Sequence, residues 1–278
     1  MMRKSIALLT RGVIIGILAI FAAAAIYPVL FMLLSSFKTS VQYTNDPLSL
    51  PPGFSYIQNF VAMYNDFNLP GLLLNTVTYI ALAAFVSLAV SIPASYALAK
   101  LRFPLRNLFF LFIIASMVIP AITFIIPDYV LMSNLNLVDT LWSVVLLWAA
   151  TSVPGSVFLL TSLMRGLPDE ILEATRVDGA NYLQLMLRII IPISTPGIIT
   201  ITIFNVTAWW NDLLIPLVFL QSDANKTLTV AVATIVGRFN TDYPLLLTGL
   251  LMASLPPILI YVFLQRYIRR GLVIGAIK

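Results

Sequence analysis

The sequence of 278 residues contains no cysteine and no histidine. Without cysteine the chain has neither a disulfide framework nor a thiolate metal site, and this absence says nothing about the redox compartment. Without histidine it lacks the default proton shuttle and the commonest metal ligand. Paired carboxylates and a nucleophile beside a base are missing as well. We therefore predict that the chain is not an enzyme and has no catalytic residue and no metal site.

The chain also has little charge, since 10% of its residues are charged while 60% are hydrophobic. Soluble domains carry about 25% charged residues, and the mean hydropathy here is +0.99. These values predict an integral membrane protein. No glycine is followed by lysine, which excludes a phosphate-binding G-x-x-x-x-G-K-[ST] loop. An ATP-driven function would need a second polypeptide, and we expect no cofactor on this chain.

Six apolar segments approach the length of about 20 residues that spans a bilayer. They cover residues 12–34, 72–99, 108–127, 141–163, 193–220 and 244–264. The first contains four alanines at 22–25 that could suggest a signal-peptide cleavage site, but the apolar stretch continues past them and favours an uncleaved anchor. The sequence predicts an all-α polytopic protein with six transmembrane helices, organised as one transmembrane domain over residues 1–278.

Lysine and arginine indicate the orientation, because cytoplasmic loops carry an excess of them. With the N-terminus inside, only Lys38, Lys226 and Arg238 of the 16 basic residues fall outside. We therefore predict an N-in, C-in topology, so the net charge of +5 indicates orientation and not a nucleic-acid partner. The predicted external loops are residues 35–71, 128–140 and 221–243, and the long cytoplasmic loop is residues 165–191.

The cytoplasmic loop has the pattern of two short helices joined by a turn. Pro168 suits a first helical position, where its missing N–H has no partner anyway. Apolar residues then recur about one turn apart, at Ile171, Leu172, Ala174 and Val177. Gly179 tolerates the left-handed conformation that ends a helix, and a second short helix is predicted from Asn181 up to Pro192. The pattern alone also fits an amphipathic helix lying on the membrane surface.

The same loop resembles the EAA loop of permease subunits of bacterial ABC importers, whose pattern is E-A-A-x3-G-x9-I-x-L-P. The match departs from the pattern mildly, with Thr175 for the second alanine and Ile191 for the leucine. The resemblance implies that the loop docks in a cleft of a separate ATPase, with Glu173 pairing a basic group there, and carries its motion into the membrane. The implied coupling residues are Glu173, Ala174, Asp178, Gly179, Ala180 and Pro192.

The fifth predicted span contains the most polar intramembrane sequence, and its substrate-path candidates are Asn205, Trp209, Asn211 and Asp212. Helical spacing places Asn205, Trp209 and Asp212 on one face, together with Pro216. Polar groups in a bilayer turn towards partner helices or a watery cavity, and indoles beside amides suit a sugar. Alternatively, the tryptophans lie in an interfacial belt and the polar groups tie helices together. Because Asp212 is the only clear intramembrane charge, an ion-coupled carrier is the less favoured alternative.

Four further segments resemble the carbohydrate-uptake subfamily of these permeases. They are W-N-D-L-L-I-P-L at residues 210–217, S-S-F-K at 35–38, the end of the second span at 96–104, and Gly275-Ala276-Ile277-Lys278. Their order makes the chain similar to the smaller permease of a maltose-type importer. The resemblance implies a type I importer fold and a coupling role for Gly275 and Lys278. The alternative for this tail is a frayed basic end held near anionic lipid headgroups.

The implied function is a carbohydrate-import permease of the bacterial cell membrane that forms half of the translocation path. The implied partners are two ATPase subunits that hold ATP and Mg, a second, different permease, an extracytoplasmic substrate-binding protein and membrane lipid. The sequence does not name the sugar. Import of another solute, such as glycerol-phosphate, stays open, and so does a pore made of two identical permeases.

Overall fold

The computed structural model describes residues 2–177, 179–236 and 241–276. The longer helices are α1 (Met2–Ser35), α4 (Leu69–Lys100), α5 (Arg106–Ser116), α7 (Leu141–Arg165), α10 (Ile191–Asn211) and α13 (Tyr243–Ala276). The shorter helices are α2 (Ser40–Asn45), α3 (Gln58–Asn65), α6 (Ile125–Asn134), α8 (Asp169–Val177), α9 (Tyr182–Leu185), α11 (Leu214–Phe219) and α12 (Leu228–Ala233).

Five helices among the described residues are long and apolar enough to cross a membrane. They are Thr10–Ser35, Leu69–Lys100, Leu141–Arg165, Tyr182–Asn211 and Tyr243–Phe263. A sixth span results if the bent pair Arg106–Ser116 and Ala121–Asn134 counts as one. This arrangement confirms the predicted all-α polytopic fold.

The prediction of one straight helix over residues 108–127 is wrong, because this segment is bent. The chain turns by 86° between α5 and the segment Ala121–Asn134. Pro120 lies at the bend with φ −59° and ψ 129°. Proline lacks the amide that would continue a helix and pushes the residue before it towards extended backbone. The apolar composition of this segment therefore predicted its length but not the bend at Pro120.

The fifth predicted span begins earlier than expected, and the predicted helix end at Pro192 is wrong. Asn181 caps the start, because its side chain accepts a hydrogen bond from the Gln184 amide at 2.9 Å. A π-helical turn, Met186–Ile190, then joins α9 to α10. A π turn bonds five residues back, which accommodates the missing proline amide without ending the helix.

The same span also ends earlier than predicted. The helix stops at Asn211, because Asp212 adopts extended backbone with φ −72° and ψ 122°. Pro216 lies in the separate helix α11. The predicted single face carrying Asn205, Trp209, Asp212 and Pro216 is therefore not formed as one helical face.

The chain divides into two compact units, Met1–Leu69 with Val232–Pro256, and Pro70–Ala231 with Pro257–Lys278. In the first, Asn59 is buried and donates to the carbonyls of Ser36 and Lys38, both at 2.9 Å. Buried Lys38 donates to the Pro47 carbonyl at 2.8 Å. The S-S-F-K segment is thus a folded element. The single domain over residues 1–278 stays a prediction.

The second unit packs α4 against α7 through small polar residues. Ser87 and Ser152 lie 2.9 Å apart, and Ser95 donates to the Val157 carbonyl at 3.3 Å. Small side chains let helix backbones approach closely where lipid removes the hydrophobic driving force between helices. Two hydrogen bonds therefore join α4 to α7.

Candidate functional site

Helix α8, in the predicted coupling loop, is attached to the other helices of its unit by one face. Leu172 is 5% exposed, and it packs in a cluster contributed by α4, α7 and the Tyr182–Asn211 span. Ile171 is 40% exposed and Val177 is 87% exposed. These three residues belong to the apolar stripe predicted from the sequence, and of the three Leu172 alone is buried. The helix therefore presents apolar side chains away from its own chain.

The cluster beneath α8 joins the helix to several spans. Its buried members are Tyr96, Leu160, Met164, Leu172, Leu185, Ile190 and Ile201. Burying a leucine contributes roughly 1.5–3 kcal/mol, which anchors the helix. Helix α8 thus contacts side chains of three membrane-spanning segments.

The turn after α8 has the geometry that the sequence predicts. Gly179 has φ +84°, a conformation that costs other residues about 1–2 kcal/mol. The Ala180 amide donates to the Thr175 carbonyl at 3.2 Å. Thr175, where the EAA pattern has alanine, donates its hydroxyl to the Ile171 carbonyl at 2.7 Å. The substitution is accommodated within the helix.

The remaining coupling candidates lie in α8, near the end of α13 or outside the described residues. Glu173 is exposed, and Ala174 lies within α8. Gly275 lies near the end of α13. Asp178 and Lys278 lie outside the described residues.

An ion pair at the start of α8 was not foreseen from the sequence. The Lys100 ammonium lies 2.6 Å from the Asp169 carboxylate and donates to the Leu167 carbonyl at 2.5 Å. The Lys100 side chain is 4% exposed and that of Asp169 is 72% exposed. These two residues border a cleft of 570 Å³ that is also lined by Arg102, Phe103, Glu173 and Tyr182. Two predicted cytoplasmic loops therefore meet at one end of this unit.

The substrate-path candidates lie around a pair of stacked indoles. Trp209 and Trp148 are both buried, with ring centroids 6.1 Å apart and planes 14° from parallel. The Trp148 indole donates to the Asp212 carboxylate at 2.6 Å, and Asn205 donates to the Ser156 hydroxyl at 3.1 Å. These three contacts join α10 and Asp212, which follows it, to α7. Trp148, in the fourth predicted span, was not singled out from the sequence.

Asn211 differs from its neighbours because it is exposed in the chain. Its side chain donates to the Thr207 carbonyl at 2.7 Å, one turn earlier. Thr207 is exposed as well. This last turn of α10 therefore presents polar groups, while Trp209 beside it faces inward.

The external end of the same unit is organised by Asp139. Its carboxylate accepts from the amides of Gln221 and Ser222 at 2.9 and 3.0 Å and from the Ser222 hydroxyl at 3.0 Å. The Ser222 amide contributes most to holding the pKa of Asp139 below its usual value. Asn75 adds a bond to the Ala224 carbonyl at 2.7 Å. Two predicted external loops thus lie together.

The sequence is similar to those of known membrane transport proteins. Residues 91–274 match the family described as binding-protein-dependent transport system inner membrane component. The arabinooligosaccharides transport system permease protein AraQ of Halalkalibacterium halodurans is 31% identical over 281 residues, covering 100% of both chains. The melibiose/raffinose/stachyose import permease protein MelC of Bacillus subtilis is 31% identical, covering 94% of both.

A solved structure shows the same fold. It is a chain of a bacterial ABC transporter involved in the import of the acidic polysaccharide alginate, with a TM-score of 0.82 and 24% identity, covering 93% of this chain and 96% of that one. The chain therefore belongs to the family of binding-protein-dependent transport system inner membrane components, as the non-enzymatic, membrane-spanning permease subunit of an ABC importer.

Proposed function

We propose that this chain forms half of the translocation path of a carbohydrate importer and is driven through α8 by a separate ATPase. The observation that carries the proposal is the exposed apolar surface of a cytoplasmic loop, with Val177 at 87%, Tyr182 at 62% and Leu183 at 59% exposure. Apolar surface exposed to water commonly marks a protein-binding site. Glu173, exposed beside it, supplies a carboxylate for a basic group of the ATPase.

The proposed assembly contains two ATPase subunits, which hold ATP and Mg, and a second, different permease. An extracytoplasmic substrate-binding protein delivers the solute to the external loops. Lipid or the second permease covers helix α1 in this assembly. The reason is that every residue from 10 to 28 is exposed in the isolated chain. Apolar groups with this exposure need lipid or protein around them.

Carbohydrate is the proposed solute because the relatives are named for arabinooligosaccharides and for melibiose, raffinose and stachyose. The proposed contact is Asn211, positioned by the inward-facing Trp209 and by the Asp212 and Asn205 hydrogen bonds. We expect Asn211→Ala to change uptake or sugar selectivity, whereas Trp209→Ala should act by loosening α10 and lower stability as well. Unchanged uptake and selectivity in Asn211→Ala would remove Asn211 from the proposed path.

The coupling role is tested at Gly179. A Cβ there would meet nothing within 4 Å, and Asp and Asn adopt left-handed backbone more readily than other side chains. Gly179→Asp should therefore fold and insert, yet abolish uptake through bulk and charge at the docking surface. Gly179→Asn has nearly the same bulk without the charge and should retain more uptake. Wild-type transport by the Asp variant would remove the loop from the mechanism.

The solute is tested by purification with co-expressed partners. The captured binding protein is heated with a panel of mono-, di- and oligosaccharides and with glycerol-phosphate. Stabilisation by a saccharide supports the proposal, and stabilisation by glycerol-phosphate alone contradicts it. Co-purification of an ATPase separates an importer from an ion-coupled carrier.

A further inference from the structure

The ion pair between Lys100 and Asp169 joins the coupling helix to a membrane span. Lys100 is the last residue of α4, and Asp169 is the first residue of α8. The ammonium also donates to the Leu167 carbonyl at 2.5 Å, between α7 and α8. One cation therefore connects the ends of α4 and α7 to the beginning of the coupling helix.

The position of each charge fits the helix that carries it. A cation at the end of α4 complements the negative end of that helix dipole, and a carboxylate in the first turn of α8 complements the positive end of its own. The Lys100 side chain is almost completely buried, at 4% exposure. A buried ammonium that loses its carboxylate is costly, so the pair favours one placement of α8 against α4.

Leu172 and the ion pair hold different parts of the coupling helix. Leu172 anchors its middle in the apolar cluster, whereas Asp169 fixes its first residue to the end of a span. An apolar contact tolerates rotation, because it is not directional. A short charged hydrogen bond of 2.6 Å constrains both distance and direction.

We infer that Lys100 and Asp169 are positioning residues that transmit motion of the coupling helix to the Leu69–Lys100 span. The inference rests on the proposed coupling role of α8. Loss of the pair leaves the ATPase docked and hydrolysing ATP but reduces the solute moved for each ATP consumed. Because the Asp169 side chain is 72% exposed and such pairs are weakened by solvent, we expect about a fivefold reduction, at the low end of couplings between distant sites.

The test uses the complete complex in proteoliposomes and measures uptake and ATP hydrolysis on the same sample. Asp169→Asn should lower uptake per ATP about fivefold, and Asp169→Glu should restore it. Glu170→Asn is the matched control, because this residue lies next in the first turn of α8 and is exposed; it should keep the wild-type ratio. Gly179→Asp is measured in parallel.

Each outcome decides between the two proposals. An unchanged ratio in Asp169→Asn, with uptake abolished in Gly179→Asp, overturns the ion-pair inference and leaves the proposed function standing. Proportional loss of uptake and hydrolysis in Asp169→Asn, with less assembled complex, shows a purely structural role and also overturns the inference. Unaffected transport in both variants contradicts the proposed function itself.

Discussion

The two ends of the unit Pro70–Ala231 with Pro257–Lys278 are built differently. At the external end, Asp139 and Asn75 hold residues 221–226 through hydrogen bonds to backbone groups. At the cytoplasmic end, α8 is held by a buried leucine and an ion pair, while Val177 is 87% exposed. The external loops are therefore held by hydrogen bonds within the chain, whereas α8 leaves apolar side chains exposed for the proposed partner.

The largest expected effect is at the cytoplasmic end, where Leu172 attaches α8 to the membrane helices. Leu172→Ala removes buried contacts in the apolar cluster and should cost about 2–5 kcal/mol, with uptake falling because α8 is no longer seated. Ile171→Ala is the control on the adjacent position, where the side chain is 40% exposed; its stability should change by less than about 1 kcal/mol. Thermal unfolding in detergent and uptake in vesicles measure the two effects. Equal destabilisation by both substitutions would contradict this view of the helix.

An intermediate effect is expected at the external end. Asp139→Ala leaves the amides of Gln221 and Ser222 without their acceptor and should lower stability by about 1–3 kcal/mol. Asp223→Asn in the same loop removes a carboxylate that is 95% exposed and pairs with Lys226 at 2.6 Å. That exposed pair contributes about 0–1 kcal/mol. Thermal unfolding of both variants should separate them, and a larger loss in Asp223→Asn would refute the assignment.

The smallest expected effect is a pH dependence of the stability that Asp139 contributes at the external end. Hydrogen bonds, chiefly from the Ser222 amide, hold the pKa of Asp139 below its usual value. The folded state therefore binds this proton less readily than the unfolded state does, and the stabilisation is fully present above the ordinary carboxyl pKa of about 4. It is lost as the pH falls through the lowered pKa. The difference in unfolding midpoint between wild type and Asp139→Asn should shrink below about pH 4, and a constant difference would contradict the cause given.

The sequence was sufficient for features that depend on composition and local spacing. Apolar length predicted the spans, and Gly179 predicted the turn that its φ of +84° now shows. The end of α10 was not predictable in this way. Asp212 leaves the helix and accepts a hydrogen bond from Trp148, 64 residues away. Periodicity along one segment contains no information about that contact.

The cytoplasmic end, with α8, shows the same contrast between local features, which the sequence predicts, and long-range contacts, which it does not. The pattern predicted the helix after Pro168, but it indicated neither that the helix after Asn181 continues past Pro192 nor which apolar residue is buried. Leu172 is selected because α4, α7 and the Tyr182–Asn211 span meet beneath it. Lys100 and Asp169 are 69 residues apart, and each looks in sequence like an ordinary charge at a helix end. Tertiary packing therefore determines both the burial of Leu172 and the pairing of Lys100 with Asp169.

Site-specific cross-linking tests the central claim most directly, because the chain has no cysteine of its own. A single cysteine at Glu173, carrying a photoactivatable maleimide, is compared with one at Asp223, in cells that express the complete importer. The account predicts that the position-173 probe links to the ATPase and that the position-223 probe does not. A link to the ATPase from position 223, or only to external protein from position 173, would contradict it.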